Sequence, residues 1–199
     1  MTSSAALRGA TRALASAAVI AAGAVVSQNL PAGSEIYAPF PVAGVLGEAA
    51  GGRGITATVT GVQIAPEVLV TPKVGAPKSF SAIGQWVVVQ TSMRPGDRTE
   101  FAHADLTAGP RTYLPTDRLP PGSTLGGTIQ PGFVSRGAWV FDVAPDALDS
   151  ALRDGPVTLR AWVGDGRLDS RLEINLELGD SRVVRSQRAE VSAPEVVPG

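Results

Sequence analysis

The chain has no cysteine, a single histidine and almost no net charge. Without cysteine there can be no disulfide framework, no thiolate metal site, no cysteine nucleophile and no lipoprotein acylation site, while the redox compartment stays undetermined. With His103 as its only imidazole, a zinc ion would need three carboxylate or water ligands, unlike zinc's usual coordination. A Ser-His-Asp triad could draw only on His103, and no G-x-S-x-G elbow accompanies it. No glycine run opens a helix ahead of Lys and Ser or Thr, as a phosphate loop requires. The 17 basic and 18 acidic residues leave a net charge of -1, and the basic ones are scattered, which removes the electrostatic footprint of nucleic-acid binding. The sequence therefore assigns no catalytic, cofactor-binding or metal-ligating residue and no cofactor, and the chain reads as a non-enzyme.

What is abundant is turn chemistry. Of 199 residues, 23 are Gly and 16 are Pro, which favours a turn-rich all-β domain with one core over a helical bundle. The central stretch 125–146 turns at Pro131-Gly132 and breaks again at Arg136-Gly137. It then sets Trp139, Phe141 and Val143 on one face against Val140 and Asp142 before Pro145 stops it. Residues 85–93, QWVVVQTSM, are the most apolar strand and are expected at the centre of a sheet. In 172–178 Leu172, Ile174, Leu176 and Leu178 alternate with Glu173, Asn175 and Glu177, as one buried face demands. The apolar phase slips between Val59 and Val62, which predicts a β-bulge near Gly61. Eight strands are expected, at 55–64, 68–70, 85–93, 101–106, 125–129, 138–143, 157–163 and 172–178, with a short helix started by Pro145. No long amphipathic helix separates them, so an antiparallel sandwich is expected over 54–179, with barrel closure left open.

The ends carry a different grammar. Residues 1–12 hold Arg8 and Arg12, and 13–26 hold no charge, so the segment directs the chain to a membrane. Two outcomes stay open: a retained transmembrane helix over 13–30, or a signal peptide with the small-residue pattern Ala22-Gly23-Ala24. The arginines put the N-terminus in the cytoplasm and everything after Leu30 outside, a single-pass plasma-membrane topology. The small side chains at Ala15, Ala18, Ala22 and Gly23 suit close packing against a larger polytopic membrane protein, or else reflect only an alanine-rich composition or a signal-peptide core. The Pro/Gly-rich linker 31–53 is more apolar than a solvated tether needs, through Ile36, Tyr37, Phe40 and Val42. It is expected to dock, either as an edge strand of its own sandwich or on a partner. After Gly179 periodicity is lost, and 180–199 reads as a disordered tail.

Four segments in order, GQWVVVQTSM (84–93), RTYLPTDR (111–118), TIQPGFVSRGAWVFDVAPDA (128–147) and LDSRLEINLEL (168–178), resemble immunoglobulin-like extracytoplasmic domains related to a small secreted antigen of mycobacteria. The most specific part is the Gln130-Pro131-Gly132 turn and the Trp139 strand that follows. Many relatives place an Asn where this chain has Met93-Arg94. The resemblance implies an immunoglobulin-like fold and membrane anchoring, and it supplies no catalytic motif.

Three groups remain as candidates for contact chemistry. Asp146, Asp149 and Asp154, and separately Asp97, Glu100 and Asp105, offer oxygen ligands, yet neither group fits the twelve-residue calcium loop, and solvated charge is the expectation. Trp86 and Trp139 belong to apolar strands and are expected in the core. Trp162 falls on the face opposite Leu159 and Ala161 and is the aromatic most suited to a contact. The functional expectation is a non-catalytic, membrane-anchored extracytoplasmic accessory subunit of a cell-envelope complex. The alternative is a secreted binding module released by cleavage.

Overall fold

The computed structural model describes residues 3–28 and 37–199, which fall into two units, Met1–Ala38 and Pro39–Gly199. The first unit holds helix α1 (Ser3–Gln28), built on alanine, the strongest helix former. Among the described residues no helix is long and apolar enough to cross a membrane. The transmembrane span expected over 13–30 reaches beyond the described residues and is not shown. Residues 29–30, and 31–36 of the linker, lie outside the described residues.

The second unit is a two-sheet β-sandwich. In chain order its strands are β1 (Phe40–Val45), β2 (Ala49–Gly52), β3 (Ile55–Thr71), β4 (Lys78–Pro95), β5 (Glu100–Ala108), β6 (Arg111–Tyr113), β7 (Gly127–Ile129) and β8 (Phe133–Val143). After helix α2 (Pro145–Asp154) come β9 (Val157–Val163), β10 (Ser170–Asn175), β11 (Val183–Arg185), β12 (Arg188–Ser192) and β13 (Glu195–Pro198). One sheet runs β1-β10-β9-β5-β6, with β7 also on β5. The other runs β11-β3-β4-β8-β13, with β2 and β12 also on β3. The strand expected at the centre, β4, is central. Most pairings are antiparallel, but β1 joins β10, and β11 and β12 join β3, in parallel, so the sheets are mixed.

Alternation builds the main core. Val87 and Val89, Trp139, Phe141 and Val143 face Leu106, Leu159, Leu172 and Ile174 of the opposite sheet, all essentially without solvent contact. The register of β3 on β4 shifts between Val59 and Gly61, the bulge predicted there. Leu148 and Ala147 of α2 close one end of this core. From Phe40 onward the linker does dock on its own domain: β1 edges one sheet, β2 the other, and buried Leu46 lies at the crossing.

The outer face of the β4–β8 sheet is also buried, which alternation on those strands does not signal. Between the pairs Ala65–Trp86 and Glu67–Ser81, β3 spends only Pro66 while β4 spends residues 82–85. The long hairpin therefore bends, and its end folds back as a flap. Val68, Val70 and Phe80 of the flap pack with Trp86, Val88, Ala138 and Val140 in a second core. The bend needs Gly84, since a Cβ there would lie 2.2 Å from the carbonyl oxygen of Val143. The backbone N–H groups of Ile83 and Gly84, freed from the ladder, donate to the Asp142 carboxylate at 2.9 and 2.8 Å. Arg118 pairs with Asp142, donates to the carbonyl of Ser81 and lies 5.1 Å over the Trp86 ring.

The disordered tail expected over 180–199 is instead a strap. Its β11 and β12 follow β3, Ala189 and Val191 are buried in the second core, and β13 then edges β8. Only those two side chains point inward along β12, too few to write a period into the sequence.

Candidate binding site

Three turns meet at one end of the sandwich: Arg53-Gly54 between β2 and β3, 96–99 between β4 and β5, and 164–169 between β9 and β10. The N–H of Gly96 donates to the Gly54 carbonyl at 2.8 Å, an approach so close that a Cβ on Gly96 would lie 3.0 Å from the Gly54 Cα. The N–H of Arg53 donates to the buried Ser170 hydroxyl at 2.7 Å, and the N–H of Gly164 to the Phe101 carbonyl at 3.0 Å. The Asp165 carboxylate accepts the N–H of Arg167 at 2.9 Å, a side-chain-closed turn. Among the described residues Leu168 alone adopts a positive φ (52°) without being glycine. Such backbone strain persists only where surrounding contacts hold it.

These turns enclose an open cleft of about 490 Å³ lined chiefly by Arg53, Arg98 and Arg167 and by Asp97, Glu100 and Asp169. Among the described residues neither Arg53 nor Arg98 makes an ion pair, and Arg167 only reaches Asp165 at 3.9 Å. Elsewhere several guanidinium groups are paired, although those of Arg94, Arg136 and Arg185 make no ion pair among the described residues. Arg160 grips Asp105 with two bonds of 2.5 Å, and hydrogen bonding to that carboxylate raises the arginine's pKa. Arg171 pairs with Glu173, and Arg111 with Asp146. The lining of the cleft holds no histidine, lysine, serine or threonine, so what it presents is forked guanidinium donors and carboxylate acceptors. Such an arrangement can pair with groups of either charge.

The residues singled out by sequence scatter. Of the first acidic group, Asp97 and Glu100 line the cleft while Asp105 is committed to Arg160. Asp146 holds Arg111 at 2.9 Å, Asp149 borders a separate depression beside Pro66 and Gln85, and the Asp154 side chain lies outside the description. Among the described residues no three metal-ligating side chains gather. His103 is half-buried on the outer face of β5, its ring 5.1 Å from Phe101 and stacked on Trp162 at 5.7 Å. Trp162 thus continues a short aromatic strip up to the cleft, where Gly166 packs against its ring. Trp86 donates to the Phe80 carbonyl at 2.9 Å beneath the flap, and Trp139 sits in the main core. The cleft arginines carry no sequence motif; only the Gly residues beside Arg53, Asp97 and Arg167 hint that turns converge there.

No protein-family model matches the chain. No curated protein matches it. A solved structure, that of an uncharacterised β-sandwich protein from Clostridium difficile 630, is similar at 15% identity with a TM-score of 0.44, covering 70% of this chain and 96% of that one.

Proposed function

We propose that the chain is a non-catalytic binding module on the outer side of a cell membrane, an accessory subunit of a cell-envelope membrane complex. The observation that carries this reading is the cleft: Arg53 and Arg98, which make no ion pair among the described residues, set beside the carboxylates of Asp97, Glu100 and Asp169 on three turns of the sandwich. The N-terminal segment supports the location. It is uncharged from Ala13 onward, and Val19, Ile20, Val25 and Val26 of α1 are exposed, a surface suited to lipid or to another helix. An immunoglobulin-like assignment of the sandwich, and kinship with anchored mycobacterial domains, belong to the same proposal and rest on the Trp139 strand and its Gln130-Pro131-Gly132 turn.

The secreted module is the second reading, favoured by the small-residue pattern Ala22-Gly23-Ala24 after the uncharged stretch. Intact-mass measurement on protein recovered from fractionated cells separates the two. A full-length chain in the membrane fraction fits the accessory subunit. A chain shortened near Ala24 and found in the medium retires it in favour of the secreted module.

A further inference from the structure

The flap ends in a tip, 72–77, that no other element covers among the described residues. Val74 is 91% exposed there, and residues 73–79 are all exposed. Lys73 and Lys78 bracket it and are the only lysines in the chain, whose other basic residues are arginines. Among the described residues neither makes an ion pair, and no Asp or Glu occurs from 68 to 96. Beside the tip is an apolar recess of about 280 Å³ walled by Val70, Pro72, Val74, Ala76 and Pro120.

The direction of the flap matters as much as its chemistry. Thr71 accepts the N–H of Ala193 at 3.1 Å, and Pro194 packs on Gly137, opposite Thr91 and hence level with Val59. The flap therefore runs back toward the end where β3 begins and the cleft lies. At that same end the first strand starts, with Phe40 donating to the Asp169 carbonyl at 2.8 Å. The strand that follows the N-terminal segment and the lysine-flanked tip thus share one end of the sandwich.

We infer that the hairpin tip is a membrane contact that seats Val74 and its recess among the acyl chains of an anionic lipid surface while Lys73 and Lys78 meet the headgroups. An exposed valine between two long cationic side chains matches the bilayer boundary, where apolar groups enter and ammonium groups stay at the phosphates. This rests on the reading that the domain works at a membrane. Held nearby by the N-terminal segment, even a weak contact is populated, because the second attachment is intramolecular.

The absence of cysteine makes the test direct. In the full chain, Val74→Cys carries the only thiol and takes an environment-sensitive fluorophore, with Val184→Cys on β11 as the reference position. On phosphatidylcholine vesicles containing phosphatidylglycerol the label at 74 shifts to the blue and the label at 184 does not. Adding Lys73→Gln and Lys78→Gln weakens that partition roughly thirtyfold. A label at 74 that stays in water, that shifts equally without the lysines, or that responds to protein concentration or to free glycerol phosphate instead of lipid, overturns the contact. The N-terminal helix is the same in every variant, so its own lipid affinity cancels. Recovery of the protein from the medium would sink the accessory-subunit reading without touching this readout.

Discussion

Asp142 takes hydrogen bonds from Ile83, Gly84 and Arg118 at the place where β4 leaves β3, so three donors depend on one carboxylate. Asp142→Ala leaves two backbone N–H groups and a guanidinium without their acceptor. It should cost about 2 kcal/mol, read as a lower denaturation midpoint with an unchanged slope. At the base of the strap, Asp180 accepts from the Arg182 guanidinium at 2.8 and 2.6 Å and from its backbone N–H at 2.7 Å. The Arg182 side chain first, and its N–H second, lower the carboxyl pKa from 3.8 to about 2. A depressed folded value stabilises the turn fully above the ordinary pKa, and that contribution is lost as pH falls from about 4 through about 2. Carboxyl titration followed by NMR should place the Asp180 midpoint near 2; a midpoint at the ordinary value would show that the pair does not form in solution.

The strap and the flap behave as one layer. Val191 and Ala189 of β12 meet Val68 and Val70 of the flap over Trp86 and Val140. Val191→Asp puts an unpaired carboxylate into that second core and should destabilise the protein by about 3 kcal/mol, while Val184→Asp on exposed β11 should be near neutral. Chemical denaturation of both variants checks the contrast. Strands with one wet and one dry face, such as β10 with Arg171 and Glu173 against Leu172 and Ile174, were legible because period-two alternation is the direct trace of half burial. The second layer was not: Val88 and Val140 simply make their strands apolar on both faces, and a run of that kind does not say what covers it. The strap escaped because polar Arg188, Glu190 and Ser192 outnumber its inward side chains, and its pairing partner lies far away in sequence. The cleft was hidden for a related reason, since Arg53, Arg98 and Arg167 come from three distant turns and meet only through the fold.

For the molecule as a whole, the contacts we propose concentrate at one end. The start of β1, the cleft and the returning flap tip all gather there, while α2 closes the core elsewhere. That polarity suits a domain that meets a membrane surface and a neighbouring protein together. The most direct test is mild-detergent purification of the tagged full-length protein from native membranes, beside an Arg53→Glu, Arg98→Glu variant, with identification of co-purifying proteins. The account predicts that wild type brings a polytopic membrane protein in fixed stoichiometry and that the variant, equally stable to denaturant, loses it. Wild type recovered alone, or a partner retained undiminished by the variant, would contradict the cleft as the site of recognition.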